Sequence, residues 1–419
     1  MDHVLHLRCL VCGAEHSPDT VAYVCPAHGV DGVLDVVYDY ALIARRTTRE
    51  ALRAGSGMWR FRPLLPVEVD TPVPPILVGD TPLIEAPRLA AQAGVARLWI
   101  KDESRQPTAS LKDRASAMAV AKAAEQGLGT ITTASTGNAA AALAGMCAAA
   151  GRRAVIFVPA AAPPAKIAQL HAFGAAVVLV QGTYDQAVEL AMTASARRGW
   201  YNRSTGFNPY MTEGKKTAVY EVCESLEWEP PDVITVGVGD GCIIGGLHKG
   251  LRDLLALGWI DRMPRLVGVQ AEGSAYLADA WRLDEDVLTK PAIVATTVAD
   301  SIAAGLPRDR VKAMAAVRDT GGGFVTVSDA AILAAIPAVA RASGVFGEPA
   351  AAASWAGLLA AVEVGAVGAS DRVVIMNTGS GLKDVAAAWR GAEMAGITAV
   401  SVRADGRDLD EALDRLEDR

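Results

Sequence analysis

Short apolar runs alternate with helix-like segments through most of this chain. RAVIFVP at 153–159 and AAVVLVQG at 175–182 are strand-like, and the segments between such runs repeat apolar residues with helical spacing. A second series extends from DVITVGVG at 232–239 to RVVIMNTGSG at 372–381. Strands that alternate with helices pair in parallel, and the helices cover both faces of the sheet. The pattern therefore predicts an α/β fold with parallel sheets.

The length of the chain predicts two lobes, because 419 residues exceed what a single hydrophobic core usually organises. The Pro- and Gly-rich residues 54–82 are typical of a connecting arm. The boundaries that we predict are residues 1–40 for an N-terminal segment, 41–110 and 211–392 for a large lobe, 111–210 for a small α/β lobe and 393–419 for an acidic C-terminal tail.

Charge and composition exclude several classes of protein. The formal net charge is -7 and there is no long basic run, so nucleic acid is not an expected partner. No apolar run is long enough for a membrane span, and the first residues lack the pattern of a signal peptide. The cysteines Cys147, Cys223 and Cys242 are scattered, which is typical of reduced thiols. We therefore expect a cytoplasmic protein without a membrane partner.

Four polar loops follow predicted strands, at the edge where parallel α/β folds collect ligands. They are PTASLKD at 107–113, TASTGN at 133–138, GVGDGCIIGG at 237–246 and NTGSGLKD at 377–384. Each loop taken alone can be explained by structure without any function, since Ser110 or Asp113 can cap a helix and Gly-rich turns allow tight packing. The third loop is not a dinucleotide fingerprint, because Cys242 stands in place of the third glycine.

Taken together, the four loops supply the groups that pyridoxal phosphate requires. Lys112 offers an amine for the cofactor's aldehyde, and the 237–246 loop offers backbone N–H groups at a helix N-terminus for its phosphate. Asn138 adds an amide and Thr378 a hydroxyl. This inventory favours an enzyme that uses pyridoxal phosphate.

The order of these loops, with NPYMTEGKKTA, VQAEGS and GEPAAAA between them, resembles that of the threonine synthases and their near relatives. These are fold-type II pyridoxal-phosphate enzymes, similar in fold to the tryptophan synthase β subunit, and the resemblance extends from about residue 78 to about residue 390. It implies a homodimer that acts on a small amino-acid substrate. The implied reaction is that of a carbon–oxygen lyase, which converts O-phospho-L-homoserine and water into L-threonine and phosphate.

The resemblance also implies a role for each residue of the loops. Lys112 forms the covalent bond to the cofactor and moves protons. The remaining implied contacts are Asn138 with the ring hydroxyl, Gly239, Asp240, Gly241, Cys242 and Ile243 with the cofactor phosphate, Thr378 with the pyridine nitrogen, and Ser135, Thr136 and Gly137 with the substrate's α-carboxylate.

Two residues depart from the family pattern and keep other functions open. Ala109 stands where the family has Gly, and Leu111 stands where it has Phe, so both flank Lys112. One alternative is an enzyme of the same fold that performs β-replacement or β-elimination on a phosphorylated or free hydroxy-amino acid, as a cysteate synthase or a serine/threonine dehydratase does. Another is a binding module without activity, which the presence of Lys112, Asn138 and Thr378 disfavours.

The N-terminal segment carries a pattern that is typical of a zinc ribbon. Cys9 and Cys12 form C-x2-C, and Cys25 and His28 form C-x2-H twelve residues later. All four positions of a tetrahedral site are then filled, so the predicted zinc is structural. The alternative is a turn with free thiols and no metal.

Overall fold

A computed structural model of the chain describes residues 1–162 and 164–417, the side chains of residues 164–166 and 417 excepted. The strands are β1 Val4–Cys9, β2 Glu15–His16, β3 Leu34–Tyr38, β4 Leu83–Glu85, β5 Arg97–Asp102, β6 Thr130–Ala134, β7 Arg153–Pro159, β8 Ala176–Val180, β9 Tyr201–Asn202, β10 Val233–Gly237, β11 Arg265–Ala271, β12 Gly323–Val327 and β13 Arg372–Asn377.

The α-helices are α1 Tyr40–Arg46, α2 Arg49–Leu52, α3 Pro87–Ala93, α4 Lys112–Glu125, α5 Asn138–Ala149, α6 Pro164–Ala172, α7 Tyr184–Arg198, α8 Tyr210–Lys215, α9 Thr217–Ser225, α10 Cys242–Ala256, α11 Tyr276–Leu283, α12 Arg310–Asp319, α13 Asp329–Ser343, α14 Pro349–Glu363, α15 Val385–Met394 and α16 Leu409–Glu417. None of the described helices combines the length and the apolar character needed to cross a lipid bilayer.

Two sheets form the main body of the fold. The larger has the strand order β12-β11-β10-β13-β5-β4, and the smaller has the order β8-β7-β6-β9. All pairs in both sheets are parallel except β4 with β5, which is antiparallel. The short strand β4 occupies an edge of the larger sheet, where it pairs on one side only. The two predicted sheets are therefore present, with one antiparallel edge strand that the sequence pattern did not indicate, while the predicted lobe boundaries stay predictions.

Helix α4 connects the two sheets, because it follows β5 of the larger sheet and precedes β6 of the smaller, and it packs against both α5 and α8. The approach to α8 is close: a Cβ at Gly214 would overlap the carbonyl oxygen of Arg114. Only glycine fits at this crossing without a shift of the backbone. The glycine of the NPYMTEGKKTA motif, Gly214, is thus required at least in part by the packing of α4, the helix that begins with Lys112.

The N-terminal segment belongs to a hydrophobic core that also contains residues of both main sheets. Its strands form an antiparallel sheet in the order β2-β1-β3. Tyr38 donates a hydrogen bond from its hydroxyl to Glu213 Oε2 at 2.5 Å, and Tyr40 donates to Asp253 Oδ1 at 2.6 Å. The arm at residues 54–82 is also more than a connection, since its 3-10 helix Met58–Leu64 buries Met58, Phe61 and Leu64 in the same core.

A buried network of charges holds the N-terminal end of α4. Arg114 donates from Nη2 to Glu103 Oε1 at 2.8 Å and to Glu221 Oε2 at 2.6 Å, and Lys101 donates to Glu221 Oε2 at 2.6 Å. All four side chains are at most 3% exposed. Burial raises the pKa of Glu221, but the charges of Arg114 and Lys101 outweigh it and hold that pKa below its ordinary value. The network ties together β5, α4 and α9.

Replacing Arg114 with alanine is expected to destabilise the protein strongly. The change leaves Glu103 and Glu221 buried with only Lys101 to balance two charges, and breaking a buried ion pair in this way costs roughly 3–5 kcal/mol. The measurement is the free energy of unfolding in urea. The control is Arg105→Ala, which removes an exposed arginine from the adjacent turn and should change stability by less than about 0.5 kcal/mol. Equal effects of the two changes would contradict this account of the network.

Candidate active site

Lys112 is the first residue of α4, and its side chain is half-buried. The loop before it is hydrogen-bonded to the loop after β13. The Leu111 N–H donates to the Thr378 carbonyl at 3.0 Å, and the Ser380 N–H donates to the Ala109 carbonyl at 3.0 Å. The first and fourth polar loops of the sequence are therefore one structural unit, in which Lys112 and Thr378 are neighbours.

Ala109 adopts the left-handed backbone conformation, with φ at 65°. Glycine adopts this conformation freely, while the Cβ of any other residue costs about 1–2 kcal/mol there. The turn is held by Asp113, whose Oδ2 accepts a hydrogen bond from the Thr108 N–H at 2.7 Å. Burial raises the pKa of Asp113 to about 6, against the opposing effect of its bonds from Thr108. A backbone requirement thus explains why glycine suits position 109 in related sequences.

Asn138 lies at the N-terminus of α5 and is bonded to a carboxyl group. Its Nδ2 donates to Glu348 Oε1 at 2.7 Å, and both side chains are buried. Burial raises the pKa of Glu348 to about 7, although the Asn138 bond and the charges of Lys112 and Lys383 oppose that rise. Gly379 covers this pair, since a Cβ there would lie 2.5 Å from Glu348 Oε1. Asn138, Glu348 and the Thr378 loop therefore form one cluster beside Lys112.

The glycine-rich loop at 239–243 leads into α10, a helix of 15 residues that begins at Cys242. Gly241 has φ at 90°, and a Cβ on it would lie 2.8 Å from Ala313 Cβ. The loop is anchored by Asp240, whose carbonyl accepts from the Asp309 N–H at 2.8 Å. The first N–H groups of a helix have no partner within it, and they favour an anion. The loop fits a phosphate group.

Two buried cations lie beside this loop. Lys215 donates from Nζ to Cys242 Sγ at 2.9 Å, and Arg203 donates to the hydroxyl oxygens of Ser116 and Thr205. The Nη2 group of Arg203 is buried without a hydrogen-bond partner, and among the described residues neither cation forms a salt bridge. Burial lowers the pKa of Lys215, and the charges of Lys112 and Arg203 lower it further while Cys242 opposes them. The nearest acidic groups, Asp309 for Lys215 and Asp113 and Asp240 for Arg203, act on these cations without forming a salt bridge to either of them within the described residues.

An open cleft borders the 133–138 loop. Thr136, Gly137, Asn138, Glu348 and Lys383 contribute to its lining. Ser135 is half-buried and accepts a hydrogen bond from the Gly137 N–H at 3.2 Å. The cleft stops short of Lys112 and of the 239–243 loop, yet the charge of Lys112 acts on both Glu348 and Lys215. Lys112 thus lies between the cleft and the glycine-rich loop.

Sequence reasoning missed three groups of this site, namely Glu348, Arg203 and Lys215, although Lys215 lies within the quoted motif NPYMTEGKKTA. Glu348 lies within GEPAAAA, a motif that supports the family resemblance, but its partner Asn138 is 210 residues away along the chain. Arg203 belongs to no motif, and its importance follows from burial without a counter-charge. The GEPAAAA motif was a usable signal for Glu348, whereas nothing in the local sequence distinguishes Arg203 from a surface arginine.

A second cluster of ligand-type side chains lies in the N-terminal segment. The ligand atoms of Cys9, Cys12, Cys25 and His28 all lie within 4.8 Å of one another, and Cys12 Sγ is 4.0 Å from Cys25 Sγ. Ligands of tetrahedral zinc at about 2.3 Å from the metal are separated by about 3.8 Å. The Nδ1 atom of His28 is buried without a hydrogen-bond partner. The donor set and its spacing fit one tetrahedral metal ion.

Comparison with known proteins places this site in a family. The family described as pyridoxal-phosphate dependent enzyme matches residues 75–379. The threonine synthase of Methanosarcina acetivorans is 40% identical over 90% of this chain and 92% of its own length. The threonine synthase of Methanocaldococcus jannaschii is 34% identical over 92% of this chain and 95% of its own.

Among solved structures, the processed form of threonine deaminase isoform 2 from Solanum lycopersicum aligns with a TM-score of 0.65. It is 25% identical and covers 76% of this chain and 84% of its own. The predicted fold and the predicted cofactor, pyridoxal phosphate, are confirmed. The chain belongs to the threonine synthase family of pyridoxal-phosphate dependent enzymes.

Proposed function

We propose that this chain converts O-phospho-L-homoserine and water into L-threonine and phosphate. The observation that carries the proposal is the pair of buried cations, Arg203 and Lys215, beside the glycine-rich loop. The cofactor brings one phosphate, for which the N-terminus of α10 is suited. Two further buried cations without a carboxylate partner among the described residues favour a second phosphate, and a free hydroxy-amino acid has none. A phosphorylated substrate is therefore favoured over a dehydratase reaction.

The site residues have separate tasks in this reaction. When bound, pyridoxal phosphate supplies an electron sink for negative charge that develops on the substrate's α-carbon. Lys112 would anchor the cofactor and then take and return protons at the substrate's carbons, and its charge acts on both Glu348 and Lys215. The N-terminus of α5, with Ser135, Thr136 and Gly137, holds the substrate's α-carboxylate.

The leaving group and the ring contacts complete the proposal. Arg203 and Lys215 hold the substrate's phosphate and stabilise the charge that it carries away from the γ-carbon, where the carbon–oxygen bond breaks. Thr378 meets the pyridine nitrogen and Asn138 the ring hydroxyl, while residues 239–243 bind the cofactor's phosphate. Water then adds at the β-carbon.

We further propose that Cys9, Cys12, Cys25 and His28 bind one structural zinc ion. The support is the donor set, its spacing and the buried, unpartnered Nδ1 of His28. A homodimer and a cytoplasmic location are also proposals, which rest on the family resemblance and on the scattered free cysteines.

Substrate preference tests the proposed reaction directly. O-phosphohomoserine, O-phosphoserine, serine and threonine are incubated in parallel with the holoenzyme, and phosphate, threonine and ketoacid are measured. We expect only O-phosphohomoserine to release phosphate with an equal amount of threonine. Ketoacid from serine or threonine, with no threonine from O-phosphohomoserine, would establish the dehydratase alternative.

Arg203→Met and Lys215→Met test the proposed contact with the substrate's phosphate. Hydrogen bonds to charged groups contribute about 1.5–3 kcal/mol, so kcat/KM for O-phosphohomoserine should fall about ten- to a hundredfold or more for each change. Stability should change little, because methionine, an apolar side chain of similar length, replaces a buried charge that forms no salt bridge and so avoids the cost of desolvating that charge. The control is Arg198→Met, an exposed arginine at the end of α7, which should leave kcat/KM unchanged. Unaltered kinetics in both buried variants would rule out this contact.

Metal analysis tests the proposed zinc site. Protein purified without chelator should contain one zinc per chain, and Cys12→Ser should lower that content because serine is a poor zinc ligand. Chelation should lower the melting temperature more than it lowers activity, since none of the four residues belongs to the loops that form the proposed active site. Cys147→Ser serves as the control, because Cys147 is a buried free thiol outside the cluster. Metal-free protein with an unchanged melting temperature would contradict the assignment.

A further inference from the structure

Glu348 is a buried carboxyl group to which the proposed reaction assigns no task. Its residue is 4% exposed, and it precedes the first turn of α14. The backbone N–H of Glu348 donates to the Gly379 carbonyl at 3.0 Å, and its Oε1 accepts from Asn138 Nδ2 at 2.7 Å. The side chain also contributes to the lining of the cleft. The Glu348 carboxyl group is thus held by Asn138 on one side and borders the cleft on the other.

The charged groups around Glu348 come from three other elements. Lys112 begins α4, Lys383 follows β13, and Asp300 lies in a short 3-10 helix. The two lysines favour the ionised carboxylate and Asp300 disfavours it, while burial is the largest effect and raises the pKa of Glu348 to about 7. Glu348 therefore exchanges between its acid and its carboxylate near neutral pH.

The two protonation states hold the Asn138 amide differently. A carboxylate only accepts hydrogen bonds, so an ionised Glu348 requires the NH2 group of Asn138 to face it. A protonated carboxyl donates as well as accepts, so either end of the amide can face it. The loop at Gly379 packs closely against both side chains, because a Cβ there would lie 2.5 Å from Glu348 Oε1 and 3.2 Å from Asn138 Nδ2.

We propose that Glu348 is a positioning residue, whose ionised carboxylate fixes the orientation of the Asn138 amide at the cofactor's ring hydroxyl. Through this contact the protonation of Glu348 changes the hydrogen bonding offered to the ring. The inference rests on the proposed place of Asn138 and not on the identity of the substrate, because it concerns the enzyme before substrate binds.

The test is the absorbance of the bound cofactor in the substrate-free holoenzyme, titrated across neutral pH. The wild-type spectrum should change with a midpoint near that of Glu348, and Glu348→Gln should abolish the change, because glutamine does not titrate. Lys383→Gln should move the midpoint to higher pH, because it removes a positive charge that favours the carboxylate. The matched control is Glu363→Gln, an exposed carboxyl at the other end of α14, which should leave the titration unchanged.

Asn138→Ala separates the positioning role from a direct effect of charge. With the amide removed, the spectral change should be lost although Glu348 still titrates. A titration that persists in Glu348→Gln, or in Asn138→Ala, would overturn the proposal, as would a midpoint that Lys383→Gln leaves unmoved. None of these outcomes depends on which amino acid the enzyme converts, so a failed substrate assignment is distinguishable from a failed role for Glu348.

Discussion

The geometry of the site depends on the hydrogen-bonded ion pairs that the guanidinium of Arg114 forms with two carboxylates. Arg114 lies two residues after Lys112 and bonds carboxylates from two other segments, Glu103 after β5 and Glu221 in α9. The planar guanidinium binds each carboxylate through two hydrogen bonds, a bidentate geometry that the point charge of a lysine does not reproduce. The start of α4 is therefore held in a fixed place relative to the larger sheet, and Lys112 with it.

Backbone hydrogen bonds also hold the loop that carries Lys112 in place. The loop that carries Lys112 and the loop that carries Thr378 are paired through Leu111 and Ala109, so neither moves without the other. The cost is a non-glycine residue in the left-handed conformation at Ala109. Strain of this kind persists only where surrounding contacts determine the backbone, and here Asp113 and the paired loop supply those contacts.

Local patterns predicted most of the strands of the two main sheets, because β5, β6, β7, β8, β10, β11 and β13 are apolar runs of five to seven residues. They did not indicate β12, a five-residue strand at the edge of the larger sheet, nor β4 and β9, which have only three and two residues. The loops around Lys112 were predicted from motifs, since the residue types there are chemically unusual for a surface. The roles of Glu348 and Arg203 were not predicted, because the importance of each follows from burial and from partners that only the folded chain brings together.

The contacts of the N-terminal segment also bear on the order in which the chain folds. Its three strands pair within the first 38 residues, so this three-stranded sheet can form as soon as those residues are synthesised. The hydroxyls of Tyr38 and Tyr40 instead find partners 175 and 213 residues later. Contacts of such sequence separation form slowly, since a long loop must close first. Docking of this segment is therefore a late step, which waits for α8 and α10 to be made.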